Sequence, residues 1–338
     1  MIFVTKPRKR NLMNRFLRSG TVLFASIAVL ISCSKEITES SDSVEKRVLD
    51  AYIKVVYNNS IQPTSSGMYI FTQTAGNGDP VKKTGGVFVR YSTLDLKNNY
   101  ISTTYDNIAK IAGGYADSIY YGPVLFEMGN YTLIRGLEEA LLELREGSKA
   151  RLIIPSWLSD YNYQGSSRVN ATTTIYDIEI LKVVDSIALY EIDTLEAFSA
   201  KHFGGLDSLS KGFYFKSLDP GIGDTLKAGD NISYWYVGRL LDGFVFDTNI
   251  EDTARKYNIY SSSRSYTALS VTMQEEGSTE NTVINGMAKT LLNMKHGGKA
   301  VSFFSSDWGY GSTPRSFGKY QPMHFYVEVV TDNSDDVD

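Results

Sequence analysis

The side chains that usually carry covalent or metal chemistry are scarce in this 338-residue sequence. Cys33 is the single cysteine, and the three histidines, His202, His296 and His324, stand far apart. A lone cysteine excludes an intramolecular disulfide, and nothing here has the spacing of a metal site. No Gly-x-Ser-x-Gly elbow is present. Gly76-Asn77-Gly78 and Gly221-Ile222-Gly223 read as hairpin turns, since no helix and no Lys-[Ser/Thr] pair follows them as in a phosphate loop. What remains is a set of aromatics around one carboxylate: Tyr236, then Phe246-Asp247, then Phe325. Taken singly, these aromatics also fit the core of a curved sheet, and Asp247 also fits a turn, because Asp bonds its own downstream backbone.

These residues belong to an internal echo. Tyr236–Asp247 (YVGRLLDGFVFD) repeats Tyr91–Ser102 (YSTLDLKNNYIS) at a spacing of 145 residues. Each stretch begins 24 residues after a glycine that opens a strand, Gly67 and Gly212. Leu133-Ile134-Arg135-Gly136-Leu137 is echoed by Val283-Ile284-Asn285-Gly286-Met287. A period of this size means two copies of one domain rather than one large fold.

The elements that must position the side chains follow from periodicity. Val44, Val48, Leu49, Tyr52, Val55 and Val56 recur at helical spacing before the first copy, and Leu195, Phe198 and Phe203 before the second. Val87, Val89 and Tyr91 alternate as a strand does, and so do Ile232, Tyr234 and Tyr236. One helix per copy shows a single apolar face: Ile134, Leu137, Leu141 and Leu144, matched by Ile284, Met287, Leu291 and Met294, with Gly147 and Gly297 expected to end them. Strands follow at 150–154 and 300–304, with closing strands at 173–183 and 324–330. Two long loops, 103–121 and 249–263, are of a length usually reserved for function or disorder. The layout is α+β, with one helix packed on a curved antiparallel sheet in each copy and a helical segment ahead of it.

At this point the second copy resembles the FKBP-type peptidyl-prolyl isomerases. The family pattern appears in order as Tyr236, Phe246-Asp247, Val283-Ile284-Asn285-Gly286-Met287, Gly298-Lys299-Ala300, Gly309-Tyr310-Gly311 and Phe325-Tyr326-Val327-Glu328. It covers roughly residues 212–331. The first copy keeps the framework at Tyr91, Leu133–Ala140, Ser148–Leu152 and Ile175–Leu181. Its Phe-Asp pair has become Ile101-Ser102, Leu137 stands where the family has tryptophan, and the Ala-Tyr-Gly segment has blurred into Ser159-Asp160-Tyr161-Asn162-Tyr163.

The resemblance implies tandem FKBP-like domains, no cofactor and no metal. Rotation about an X–Pro bond faces a barrier of about 18–20 kcal/mol from amide resonance. It needs no nucleophile, only a dry slot that holds the twisted bond better than the planar one. By resemblance, Tyr236, Phe246, Met287 and Phe325 wall that slot with Val283. The Ile284 N–H and the Tyr310 hydroxyl hold substrate carbonyls, and Asp247 polarises the rim. Met287 departs from the family's tryptophan and gives a more flexible floor. The implied partners are proline-containing unfolded or extended polypeptides. Two rivals stay open: a binding module that grips partners without catalysis, favoured by Ile101-Ser102, Leu137, Met287 and the long inserts, and a structural spacer.

Residues 1–32 read as a lipoprotein signal: Lys6, Arg8, Lys9, Arg10, Arg15 and Arg18, then a short apolar run from Thr21 to Ile31. Leu30-Ile31-Ser32-Cys33 resembles a bacterial lipobox, which makes Cys33 the lipidated residue. The alternative is an ordinary cleaved signal. The remaining 306 residues carry 28 basic and 38 acidic groups, a net charge of −10 that argues against nucleic acid as partner. The expected domains are 33–43 as a tether, 44–184 as a first copy with a degenerate site, 185–331 as the candidate active copy, and 332–338 as an acidic tail. Ser34-Lys35-Glu36 lacks the Asp associated with inner-membrane retention, so the expected place is the outer membrane of a bacterial envelope.

Overall fold

The structure, a computed structural model, describes residues 41–161 and 172–331. The signal segment, Cys33, most of the tether, Asn162, Tyr163 and the acidic tail lie outside the described residues.

Both halves build the same antiparallel sheet. The first uses β1 (Tyr69–Thr74), β2 (Gly86–Leu94), β3 (Tyr100–Thr103), β4 (Val124–Glu127), β5 (Lys149–Ile154) and β6 (Thr174–Val184), in the order β1-β5-β6-β2-β3 with β4 also on β2. The second uses β7 (Phe213–Asp219), β8 (Asn231–Leu240), β9 (Val245–Thr248), β10 (Leu269–Thr272), β11 (Lys299–Phe304) and β12 (Met323–Val329), in the order β7-β11-β12-β8-β10 with β9 also on β8. The registers coincide. Thr93 faces Ser102 and Ser92 faces Thr103, as Gly238 faces Asp247 and Val237 faces Thr248, with a register shift at the next position in both. A one-residue slip would turn every side chain to the opposite face, so this match is a match of environments.

Each sheet is covered on both faces rather than by one helix. In the first half, α1 (Ser41–Tyr57) precedes the sheet, and α3 (Arg135–Leu141) follows α2 (Asp106–Ala112). Leu152 and Ile154 of β5 pack with Leu137, Ala140 and Leu141, while Ile153 between them packs with Leu49 and Ile53 of α1. In the second half, α4 (Ile187–Phe203) plays the part of α1, and α6 (Asn285–Leu292) follows α5 (Glu251–Lys256). Ala300 and Phe304 of β11 meet Met287 and Leu291, and Val301 and Phe303 meet Leu195 and Phe198. Period-two alternation thus buries both faces of the central strands. Each apolar side chain covered in this way contributes roughly 1.5–3 kcal/mol, so α1 and α4 are integral layers.

Four expectations are corrected. First, α1 begins at Ser41, so the last three residues of the expected tether are helical. Second, Gly147 and Gly297 do not end the helices, whose C-caps are Leu142 and Asn293. With φ of 86° and 69°, these glycines form the left-handed turns that open β5 and β11. Third, Gly76-Asn77-Gly78 and Gly221-Ile222-Gly223 are not hairpin turns, because β1 pairs with β5 and β7 with β11. They cross over another backbone: a Cβ at Gly76 would lie 2.3 Å from the Glu146 carbonyl oxygen, and one at Gly221 2.4 Å from that of His296. Fourth, the long loops carry structure. Each holds a short helix, α2 or α5; the first also holds a stacked tyrosine pair, Tyr115–Tyr121 at 5.3 Å, and Tyr260 of the second stacks at 5.2 Å on Tyr266 just beyond it. Lys110 lies over Tyr115, and Arg255 over Tyr260.

The spacing between copies changes from 145 to 150 residues in the connection between β10 and α6, which is five residues longer than that between β4 and α3. The two halves also touch through the first insert. Tyr120 donates to Asp242 at 2.9 Å and packs on Phe244, and Asn258 donates to Asp117 at 2.9 Å.

Candidate functional site

The β8–β9 ladder brings Tyr236 and Asp247 together. The Tyr236 hydroxyl donates to Asp247 Oδ2 at 2.7 Å. The Arg264 guanidinium bonds Asp247 Oδ1 and donates to the Tyr236 oxygen at 3.0 Å. Burial, then the neighbouring Asp247, raises the pKa of Tyr236 well above the ordinary phenol value, so it stays a neutral donor. Arg264 arrives on the insert, which a buried asparagine ties to β8. Asn249 accepts from the Tyr236 N–H at 2.8 Å and donates to the Tyr234 and Thr267 carbonyls at 2.9 and 3.0 Å.

Aromatic rings wall the space beside this triangle. Phe325 lies edge-on to Phe246 at 5.7 Å, and Phe246 meets Phe317 at 4.8 Å. Tyr236 and Phe325 are 6.3 Å apart. Gly238 makes the arrangement possible, because a Cβ there would come within 2.8 Å of Phe325 and 2.9 Å of Phe246. Met287 is buried beneath, in the same cluster as Tyr236 and Phe325, with Phe246, Val283, Ile284 and Tyr310 packed against it and partly exposed.

Two donors beside this cluster are uncommitted among the described residues. Ile284 is the N-cap of α6, with φ −61° and ψ 148°, and its N–H has no acceptor among the described residues. Gly286 lets the helix end sit this close to the sheet, since a Cβ would lie 2.4 Å from the Phe304 ring. Tyr310 follows the 3₁₀ turn Ser306–Trp308, packs 6.2 Å from Phe317 and carries Arg315 3.9 Å over its ring. Its hydroxyl has no hydrogen-bond partner among the described residues, and burial raises its pKa. The structure therefore assembles Tyr236, Phe246, Asp247, Val283, Ile284, Met287, Tyr310 and Phe325 around one cluster. Sequence reasoning missed Gly238, Asn249, Arg264 and Phe317. Gly238 and Asn249 were legible only once the copies were aligned strand by strand, against Thr93 and Thr104, and Ile119 stands where the second copy has Arg264.

The first half keeps the frame and loses the polar centre. Tyr91 packs with Phe126 and Tyr176 at 5.4 and 6.0 Å. Ser102 bonds Thr93 at 2.7 Å, and Ile101 is 65% exposed. Tyr161, one residue past the position that matches Tyr310, donates its hydroxyl to Glu138. Where Asp247 and Arg264 meet in the second half, Ser102 and Ile119 line a cavity of about 280 Å³ with Tyr100, Ile101 and Tyr121.

Among the described residues, no group of three or more His, Cys, Asp or Glu side chains can hold a metal ion, and no helix is long and apolar enough to cross a membrane.

Known proteins resemble both halves of the chain. A sequence model of the FKBP-type peptidyl-prolyl cis-trans isomerases matches residues 98–181 and 223–330, one stretch in each half. The chain is 29% identical over 160 residues to a protein of Haemophilus influenzae named "Probable FKBP-type peptidyl-prolyl cis-trans isomerase", covering 46% of this chain and 59% of that one. It is 27% identical over 180 residues to the human peptidyl-prolyl cis-trans isomerase FKBP10, covering 52% of this chain and 25% of that one. A tRNA pseudouridine synthase B of Legionella pneumophila is 30% identical over 130 residues, 38% of this chain and 41% of that protein. The chain thus spans between a quarter and three-fifths of the length of these curated relatives. Among solved structures, FkpA from Escherichia coli is similar at 19% identity and a TM-score of 0.33, covering 53% of this chain and 76% of that one.

Proposed function

The chain belongs to the FKBP-type peptidyl-prolyl cis-trans isomerase family, with one domain in each half, and from that premise we propose that the second half isomerises X–Pro bonds in extended or unfolded polypeptides. The observation that carries this reading is the hydrogen-bonded triangle of Tyr236, Asp247 and Arg264 beside the Phe246–Phe317–Phe325 wall.

The rings take the pyrrolidine and exclude water, while the Ile284 N–H and Tyr310 hydroxyl hold the flanking carbonyls. The amide loses resonance as it twists, and a dry site that fits the twisted form better lowers the barrier without any covalent step. Uncatalysed, such bonds turn over in about 10–100 s, slow enough to delay folding. The first half is read as inactive and chain-binding. Its Tyr161 hydroxyl is committed to Glu138, and an apolar cavity replaces the charged pair.

The lipidated Cys33 and the bacterial envelope, outer membrane included, belong to the same proposal and rest on the sequence pattern alone. Isomerisation of a proline-containing peptide by the full chain is the test. Phe246→Ala with Asp247→Val should abolish most of the rate, while Ile101→Ala with Ser102→Ala should not. A rate indifferent to the first pair refutes the site. For the anchor, Cys33→Ala should release the protein from the membrane fraction.

A further inference from the structure

The turn that delivers Tyr310 is held by a carboxylate from a distant layer of the fold. Glu191 of α4 is 2% exposed, and it accepts from the Ser306 N–H and from the Ser306 hydroxyl, each at 2.7 Å. The Ser306 carbonyl accepts in turn from the N–H groups of Gly309 and Gly311, both at 2.8 Å. Those two amides flank Tyr310. The backbone on either side of the tyrosine therefore hangs on one carbonyl, and that carbonyl's residue hangs on Glu191.

The first half repeats the brace. Glu45 of α1 is buried and accepts from the Ser156 N–H at 2.9 Å, from the Ser156 hydroxyl, and from Thr173 at 2.7 Å. Taking a carboxylate out of water costs several kcal/mol unless its lone pairs are satisfied. Its presence at the same place in both halves marks a designed support rather than an accident of packing. The two braces end differently, however. Beyond Ser156 the chain leads to Tyr161, whose hydroxyl is occupied by Glu138, whereas beyond Ser306 it leads to Tyr310, whose hydroxyl has no partner among the described residues.

We infer that Glu191 is a positioning residue for Tyr310, fixing the Ser306 turn so that the hydroxyl is held over the prolyl slot. This rests on the reading of Tyr310 as a substrate donor given above. Burial pushes the Glu191 carboxyl upward in pKa, with the two Ser306 bonds opposing it. The donors from Ser306 find an acceptor oxygen in either protonation state.

The test uses the full chain and matched variants in the two halves. Glu191→Ala should lower kcat/KM about 10-fold, inside the ~10²-fold that a 1 Å misplacement can cost. Glu191→Gln should recover most of it, because its carbonyl accepts from the Ser306 N–H while its amide donates to the hydroxyl oxygen. Glu45→Ala should cost stability and leave kcat/KM unchanged. In a Tyr310→Phe background, Glu191→Ala should have no further effect on kcat/KM, as expected of a group acting through that hydroxyl. An undiminished loss in that background, or an equal loss from Glu45→Ala, overturns the inference. Ser306→Ala removes only the hydroxyl contact and should give the same pattern more weakly, which serves if Glu191→Ala does not fold. Amide exchange at Gly309 and Gly311 should quicken in these variants whatever the activity, and unchanged exchange also overturns the inference. Quickened exchange in a protein whose wild type isomerises nothing leaves the brace standing and removes the enzymatic reading instead.

Discussion

The Tyr236 hydroxyl donates to Asp247 at 2.7 Å, across the ladder that joins β8 to β9, and Arg264 closes the triangle from the insert. Losing a partner in such a bond leaves the other under-satisfied at about 1–3 kcal/mol. Tyr236→Phe and Asp247→Val should each lower kcat/KM by roughly 5- to 150-fold on that scale. The double variant should lose less than the product of the two. Arg264 and Asp247 are each about a third exposed, so solvent screens their ion pair, and Arg264→Ala should cost at most ~1 kcal/mol. Steady-state kinetics on the four proteins checks this. Fully multiplicative losses would mean that the pair does not act as a unit.

Gly238 should be intolerant of the residue that occupies its position in the first half. Gly238→Thr places a side chain against Phe246 and Phe325, an overpacking worth about 1–3 kcal/mol. The expected outcome is a folded protein with a displaced wall and activity reduced at least 10-fold. Thr93→Gly, its mirror image, should leave activity unaltered.

Met287 should behave as core as well as floor. It is 3% exposed among Leu291, Tyr236 and Phe325, so Met287→Ala should destabilise by about 2–5 kcal/mol in urea unfolding. Met287→Leu, which nearly conserves volume, should stay under about 1.5 kcal/mol. A Met287→Ala cost under ~1 kcal/mol would place the side chain at a surface.

Acid should weaken the second half through His324. Burial, then the nearby Arg239 and His202, lowers its pKa to about 4 from 6.5. The unfolded chain takes up this proton near pH 6.5, and the folded one only near pH 4. The stability this difference supplies is fully present above about pH 6.5 and is lost as pH falls towards 4. Unfolding midpoints between pH 7 and 4.5 should fall less steeply in His324→Phe than in wild type. Parallel curves would contradict it.

The sequence showed most of this site because the candidate residues lie in short runs that recur in both halves: a strand pair, the first turn of a helix, a turn and a last strand. Register follows from alternation, so Tyr236, Phe246 and Phe325 were legible from it together with the resemblance. Arg264 was not, because it reaches Asp247 from an insert whose path depends on Asn249 and on a tyrosine stack. Phe317 stands outside every repeated run. Nor was the second helical layer legible: periodicity reveals that α1 and α4 have apolar faces, not which face of a sheet they cover. The glycines at 76, 147, 221 and 297 were misread for one reason. A glycine needed for close approach or for positive φ looks the same in sequence as one that ends a helix or turns a hairpin.

All strands of the first sheet lie between residues 69 and 184, and all strands of the second between 213 and 329. Two ladders with matching registers invite wrong pairing, in which a strand from one takes a place in the other. The serial arrangement counters that hazard during synthesis, when N-terminal domains fold first. By the time β7 leaves the ribosome, the earlier sheet has all its members and no vacancy for a trespasser.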